Sequence, residues 1–148
     1  MAKWITKKRI KVNRAATAWL IRRFIDPSAT ILFVEPDEVA DVQGRDGAKG
    51  FDAPGATYPH QDAEGRCSFE ALVAEHCAQD PVLVALARIV RGADFADQLD
   101  STRESAGLRA ISDGFPLVAR DDQDTVERAS FLYDALYASL RARLAKDT

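Results

Sequence analysis

Hydrophobic and polar positions in the first third of the chain predict a strand, a helix and a second strand. Apolar and basic residues alternate over residues 4–12, which is typical of a strand with one solvated face. Apolar residues then recur at helical spacing over residues 15–25, with Asn13 as a suitable N-cap and Asp26-Pro27 as a stop. Residues 30–34 form a short β-branched run that predicts a buried strand. This order favours a parallel strand pair joined by a helical crossover.

The pattern weakens in the middle of the chain. Residues 37–42 suit a short helical turn and residues 48–52 another short strand, whereas residues 53–66 contain two prolines and two glycines and predict a long irregular loop. A loop of that length in a compact domain is often functional.

The second half is predicted to be helical. Residues 68–77 have helical periodicity, and Asp80 followed by Pro81 marks the start of another helix. Ser101 with Glu104 and Asp124 with Glu127 have capping-box spacing and predict two further helix starts. The last helix is expected to bury Phe131, Leu132, Ala135, Leu136, Leu140 and Leu144. The prediction is therefore one α+β domain over residues 1–148, with three or four strands in the N-terminal half packed against about five helices.

Composition is that of an ordinary globular protein, with 47% hydrophobic and 29% charged residues. No apolar run reaches the ~18 residues needed to cross a bilayer, and the N-terminus lacks a secretory signal pattern, so a cytoplasmic protein without a membrane span is expected. Cys67 and Cys77 lie ten residues apart on one predicted helix and are therefore too distant to form a disulfide with each other.

Charge is distributed unevenly along the chain. The net charge is −3, yet the first 23 residues hold eight basic residues and no acidic one. Such a segment suggests an anionic partner, which could be a nucleic acid, an oxyanion or an acidic neighbouring domain. The alternative is that these basic groups pair with the protein's own carboxylates.

Candidate chemistry gathers around the predicted loop. His60 lies in it, Cys67 follows at a helix start, and Glu70 is one helical turn further on. Imidazole, thiolate and carboxylate together can hold a transition metal, and a thiol at a helix N-terminus can be reactive. Asp52 and Asp94 are candidates for a further carboxylate. The structural alternatives are that Glu70 closes a capping box with position 67 and that Asp94 forms a surface ion pair with Arg91.

Several segments closely resemble the C-terminal domain of the chromate-resistance protein family ChrB, over nearly the whole chain. They are residues 4–6, 11–16, 18–26, 51–52, 60, 67–70, 89–94, 106–108 and 133–137. The most specific is the run Trp-Leu-Ile-Arg-Arg-Phe-Ile-Asp at residues 19–26. The family usually has Asp where this chain has Asn13, and often Cys where it has Thr17, so a ligand role for the first and a thiol role for the second are lost.

The resemblance implies a role in the bacterial response to chromate, because ChrB proteins look like chromate-responsive regulators of an efflux operon. Longer members carry an N-terminal domain thought to bind DNA, and related domains are fused to rhodanese-like modules, so the chain is either a stand-alone member or an effector domain with one of these partner domains. The sequence leaves open whether this protein forms a homodimer. Chromate is a tetrahedral dianion similar to sulfate, and a helix N-terminus with nearby cationic side chains would receive it. The residues assigned to this ligand are Arg14, Lys11, Arg22, Arg91 and Cys67.

A divalent metal such as Zn, Mn or Fe is the other expected ligand, held by His60 and Glu70 with Asp52 or Asp94 completing the site. Three functions stay open at this point. The first is a ligand-sensing domain that binds an oxyanion or a metal without turnover. The second is a metal- or thiol-dependent enzyme acting on chromate or a sulfur compound. The third is a nucleic-acid or protein interaction module that uses the basic N-terminal segment, whose binding would fall steeply with salt.

Overall fold

The sheet of this protein lies in the N-terminal third of a computed structural model that describes residues 2–146. Strand β1 (Lys3–Lys7) is central, β2 (Thr30–Val34) pairs with it on one side and β3 (Lys49–Gly50) on the other, and both pairings are parallel. The parallel β1–β2 pair and the α+β class predicted from the sequence are confirmed.

Helices make up most of the remaining structure. They are α1 (Val12–Leu20), continued by a π-helical turn (Ile21–Ile25), α2 (Val39–Asp46), α3 (Ser68–His76), α4 (Pro81–Asp94), α5 (Ser105–Asp113), α6 (Phe115–Val118) and α7 (Asp122–Lys146). Short 3-10 turns occupy Pro36–Glu38 and Ala96–Gln98. Within residues 2–146, no helix combines the length and apolar character that a membrane crossing requires.

Both faces of the central strand are covered, because successive side chains of a strand point to opposite faces. Trp4 is buried in the main core between the sheet and the helical half of the protein, together with Ile31 and Trp19. Ile5 points the other way and packs in a smaller cluster with Val39 of α2. The sheet is therefore a middle layer, and its strand ends are the places where polar groups can gather.

Strand β1 is shorter than the alternation of residues 4–12 predicts. It ends at Lys7, and Arg9 adopts a left-handed backbone conformation with φ of 61°. The backbone N–H groups of Arg9 and Ile10 donate to the two carboxylate oxygens of Asp122, at 3.1 and 3.0 Å. This contact with α7 draws the chain away from the sheet and forms a loop that leads into α1.

Asn13 does not cap α1, contrary to the prediction. The helix begins at Val12, and Asn13 is buried inside its first turn. Its side chain instead donates to Ser68 Oγ at 2.8 Å and accepts from the Phe69 backbone N–H at 3.3 Å. Asn13 therefore supports the N-terminus of α3, a different helix.

The helix starts of the second half are confirmed in part. Asp80 caps α4 as predicted, with its carboxylate accepting from the N–H groups of Val82 and Leu83. At the other two predicted helix starts, neighbouring residues make the capping hydrogen bonds instead of the predicted pairs. The N–H of Ser105 donates to Thr102 at the start of α5, and the N–H of Asp124 donates to Asp121 at the start of α7.

The buried face of α7 was also predicted incorrectly in part. Leu140 is buried and Leu132, Leu136 and Leu144 are packed against the core, but Phe131 is 80% exposed and Ala135 is exposed. The core side of this helix carries Val126, Ala129 and Tyr133 instead. The Tyr133 hydroxyl donates to the Val12 carbonyl, so that the helix is oriented by α1.

Candidate functional site

The candidate site lies where the parallel strands end. In an open parallel sheet, ligands bind beyond the carboxyl ends of the strands, at the point where the connections leave the central strand in opposite directions. The order β2-β1-β3 creates such a point between β1 and β3. Lys7 is the last residue of β1, and Asp52 comes two residues after the end of β3. Both residues line a cavity of about 160 Å³.

Asp52 is held in a strained and buried position. It adopts a left-handed backbone conformation with φ of 51°, which is uncommon for a residue other than glycine, and it is 5% exposed. Its backbone N–H donates to the Tyr58 carbonyl at 2.7 Å, and Phe51 bridges to Tyr58. These bonds fold the loop back on the sheet and bring His60 beside Asp52. Strain of this kind is concentrated at functional sites, where the surrounding structure maintains it.

His60 is oriented by two carboxylates. Its Nδ1 lies 2.9 Å from Asp52 Oδ1 and 3.6 Å from Asp94 Oδ2, and its ring makes a T-shaped contact with Phe95, with centroids 5.3 Å apart. The hydrogen bond to Asp52 raises the pKa of His60, and burial opposes this effect. The imidazole is therefore stabilised in its protonated form, and its side chain remains 56% exposed.

Asp94 is the last residue of α4 and brings a second carboxylate to the same place. Burial raises the pKa of Asp94 to about 6, and the negative charge of Asp52 acts in the same direction. His60, Arg109 and Arg14 lower the pKa of this carboxyl group. The surface ion pair with Arg91 considered above is not what the structure shows, because the Asp94 side chain is 12% exposed and Arg91 pairs with Glu70.

Cations surround the carboxylates. Arg14 is in the first turn of α1, with its Nε 4.0 Å from Asp52 Oδ2 and one Nη donating to the Arg9 carbonyl. Burial lowers the pKa of Arg14, and the charges of Asp52, Asp122 and Asp94 offset this. Lys7, Lys11 and Arg109 line the cavity as well. The cavity thus has cationic groups from β1, α1 and α5.

The start of α1 adds a further positive contribution. Val12 and Asn13 line the cavity, and within residues 2–146 no side-chain hydrogen bond caps this helix. The free N–H groups at a helix start and the helix dipole attract anions. The positive end of the helix dipole therefore adds to the charge of the cationic side chains that line the cavity.

Glu70 and Cys67 lie outside the lining of this cavity. Glu70 accepts from the Cys67 backbone N–H at 3.2 Å and closes a capping box at the start of α3, which is the structural alternative considered from the sequence. Its other oxygen pairs with Arg91 at 3.3 Å. Cys67 is fully buried, and burial raises the pKa of its thiol, so the reactive thiolate considered above is not favoured.

Two predicted cationic residues also lie outside the cavity lining. Arg91 donates to Gln98 at 3.0 Å, and its guanidinium lies over the Phe95 ring, 5.9 Å from the ring centroid. Arg22 donates to Gln123 near the start of α7. Of the nine predicted site residues, the cavity is lined by Lys11, Arg14, Asp52, His60 and Asp94.

The donor set does not fit a metal ion well. Among residues 2–146 no three His, Cys, Asp or Glu side chains are grouped so that they could hold one. His60 turns Nδ1 toward both carboxylates, where that nitrogen serves as a hydrogen-bond donor, and the Arg14 guanidinium lies beside Asp52. A divalent metal therefore stays a prediction from the sequence alone.

Sequence reasoning did not single out three charged lining residues: Lys7, Arg109 and Asp113. Lys7 was detectable from its place at the carboxyl end of a predicted parallel strand. Arg109 directly follows one of the segments that resemble the ChrB family, at residues 106–108. Its Nη1 donates to the carbonyls of Ala93 and Asp94, so that α5 is tied to the end of α4.

Comparison with known proteins agrees with the sequence resemblance. The profile of the family described as ChrB, C-terminal domain, matches residues 4–140. Protein ChrB from Cupriavidus metallidurans is 36% identical over 136 residues, which is 90% of this chain and 39% of that protein. The chain thus spans about two fifths of the curated relative, and no solved structure matches it. The chain belongs to the ChrB C-terminal domain family, which associates it with chromate resistance.

Proposed function

We propose that this domain binds a small tetrahedral oxyanion in the cavity at the ends of β1 and β3, and that it acts as a ligand sensor in chromate resistance. One observation carries the proposal. Lys7, Lys11, Arg14, Arg109 and the hydrogen-bonded imidazole of His60 come from four parts of the chain and line the same cavity. Converging cationic side chains beside a helix N-terminus are what an oxyanion requires.

Charge and size both support a small anion. Three carboxylates, those of Asp52, Asp94 and Asp113, line the cavity against four cationic residues, and His60 adds a fifth positive charge when it is protonated. The volume of about 160 Å³ is below the ~300–1,000 Å³ of sites for drug-sized ligands. A nucleotide would not fit, whereas a chromate-sized ion would.

The role of the domain in a longer protein is part of this proposal. Because the curated relative is much longer than this chain, the effect of the bound ion would be transmitted to a partner domain outside residues 1–148. A DNA-binding domain suits a regulator, and a rhodanese-like module is the alternative considered from the resemblance. Sensing of this kind takes place in the cytoplasm and involves no turnover.

The other two functions have less support. A thiol-dependent enzyme needs an accessible thiolate, and Cys67 is buried with a raised thiol pKa. A nucleic-acid surface needs free basic groups, but several in the N-terminal segment pair with the protein's own carboxylates. Lys8 lies 3.4 Å from Glu35, and Arg23 lies 3.2 Å from Asp134.

The test is calorimetric titration of the protein with chromate. The Lys7→Ala variant should bind chromate more weakly, because one unit charge at ~4 Å across water is worth about 1 kcal/mol, or roughly fivefold in affinity. Lys8→Ala is the matched control, since Lys8 is the next residue and pairs with Glu35 instead of lining this cavity. Its affinity should be unchanged.

Two outcomes would contradict the proposal. The first is that chromate, phosphate and sulfate all fail to bind the wild-type protein. The second is that Lys7→Ala and Lys8→Ala weaken binding equally, since that would point to diffuse attraction by the basic segment.

A further inference from the structure

The Asp94 carboxylate is an unusual component of an anion site. It lines the cavity, yet its Oδ2 is buried and has no hydrogen-bond partner among residues 2–146. The nearest cation is His60, whose Nδ1 is 3.6 Å away, beyond hydrogen-bond distance, and that nitrogen already donates to Asp52 at 2.9 Å. A buried acceptor without a donor is costly, so it marks a place where a ligand can supply one.

Building on the proposed function, we infer that Asp94 makes the cavity selective for a tetrahedral oxyanion that carries a proton. Such a ligand, for example hydrogen chromate or hydrogen phosphate, would donate its O–H to the Asp94 carboxylate while the cationic groups bind its other oxygens. Sulfate carries no proton near neutral pH, so its lone pairs would meet those of Asp94. Specificity would arise from this repulsive contact as much as from the attractive ones.

The surroundings of Asp94 determine how the selectivity responds to pH. Charged or titratable groups from several elements interact with it. They are Asp52 and His60 of the loop, Arg14 of α1, Arg109 of α5, Tyr133 of α7 and Cys67 at the start of α3. Because the pKa of Asp94 is about 6, it is ionised and accepts hydrogen bonds at pH 7.5. At a pH below about 6 the Asp94 carboxyl group becomes protonated and can donate to sulfate. The preference for a protonated oxyanion over sulfate should then decrease.

Phosphate and sulfate provide a matched pair of probes. At about pH 7.5 most phosphate is the monohydrogen dianion, so the two ions have similar shape and nearly the same charge and differ chiefly in the O–H group. We expect the wild-type protein to bind phosphate at least ~10-fold more tightly than sulfate by calorimetry at pH 7.5. The ratio should shrink in a second titration near pH 5, where both the Asp94 carboxylate and the phosphate dianion take up a proton.

The Asp94→Asn variant should bring the two affinities within about twofold of each other at pH 7.5, because an amide can also donate. Asp113→Asn is the matched control. Asp113 lines the same cavity but is 47% exposed and paired with Lys11 and Arg109. Removing that charge should strengthen the binding of both ions and leave their ratio unchanged.

The two proposals fail in different ways. If neither ion binds and chromate does not bind, the proposed function is wrong. If both ions bind but sulfate binds wild type as tightly as phosphate at pH 7.5, the oxyanion site stands and the role of Asp94 is refuted. The role is also refuted if Asp113→Asn changes the ratio as much as Asp94→Asn does. If Asp94→Asn does not fold, the wild-type ratio at pH 7.5 still decides the test, because equal binding of the two ions there refutes the role of Asp94.

Discussion

Gly92 allows α4 and α5 to approach closely just before the end of α4, where Asp94 enters the cavity. A Cβ placed on Gly92 would lie 2.3 Å from Ser105 Oγ, 2.4 Å from Ser101 Oγ and 2.9 Å from Ser105 Cβ. Ser105 cannot easily turn away, since it is buried and its Oγ donates to the Ile89 carbonyl at 3.0 Å. The Gly92→Ala substitution must therefore separate the two helices or break this bond.

The expected cost can be estimated from these contacts. Overpacking in a well-packed core costs about 1–3 kcal/mol, and a lost buried hydrogen bond costs about 1 kcal/mol. Alanine is favoured over glycine in a helix by up to about 1 kcal/mol, which offsets part of the loss. Gly92→Ala should therefore lower the free energy of unfolding by about 1–3 kcal/mol, a fall in Tm of roughly 2–4 °C per kcal/mol for a domain of this size.

Gly107→Ala is the matched control in the facing helix. Gly107 is exposed and lies inside α5, and a Cβ added to it would meet no other atom within 4 Å. Its substitution should raise the free energy of unfolding by about 0.5–1 kcal/mol. Urea denaturation followed by circular dichroism measures both variants. Equal stability of Gly92→Ala and Gly107→Ala would refute the close approach of α4 and α5.

Two further predictions concern the charged site and the thiols. Asp94→Asn should be more stable than wild type at pH 7.5, by up to about 3 kcal/mol for a shift of about two pKa units, and should show no gain near pH 4. The sign follows because a carboxyl group whose pKa is raised in the folded state makes the folded protein less stable as pH rises from about 4 to 6. Urea titrations of both proteins at the two pH values measure the difference, and an equal gain at both would contradict the prediction. For the thiols, the Cys77→Ser variant should not react with a disulfide reagent until urea unfolds it, since Cys67 is fully buried. Rapid labelling of that variant in the native state would show that Cys67 is accessible.

Much of the fold was predictable because its strongest signals are local. The strand at β2, the apolar spacing of α1 and the Asp80-Pro81 start of α4 are each confirmed. The predicted burial of β2 is wrong in part, because β2 is an edge strand and only its residue Ile31 is buried. The end of β1 was not predictable. The carboxylate that binds the amides of Arg9 and Ile10 belongs to Asp122, which is 113 and 112 positions further along the chain.

The candidate site shows the same division. Asp52, His60 and Asp94 were each named as candidates, since the residue types and the loop indicate chemistry. Their grouping depends on the bridge between Phe51 and Tyr58, which closes the loop, and on the packing of α4. The sequence predicts that Glu70 joins His60, since Glu70 lies one helical turn after Cys67 at the end of the loop that contains His60. Three residues of spacing at a helix start also suit a capping box, and that is the geometry Glu70 adopts.

The bonds between Asp122 and the loop after β1 have a consequence for the order of folding. The amides of Arg9 and Ile10 acquire their acceptor only when the first residue of α7 is in place. Contacts between such distant parts of a chain form late, because closing a long loop is entropically unfavourable. During synthesis, the loop between β1 and α1 therefore lacks these two hydrogen bonds until residue 122 has left the ribosome, and a shorter nascent chain would lack the finished cavity at the ends of β1 and β3.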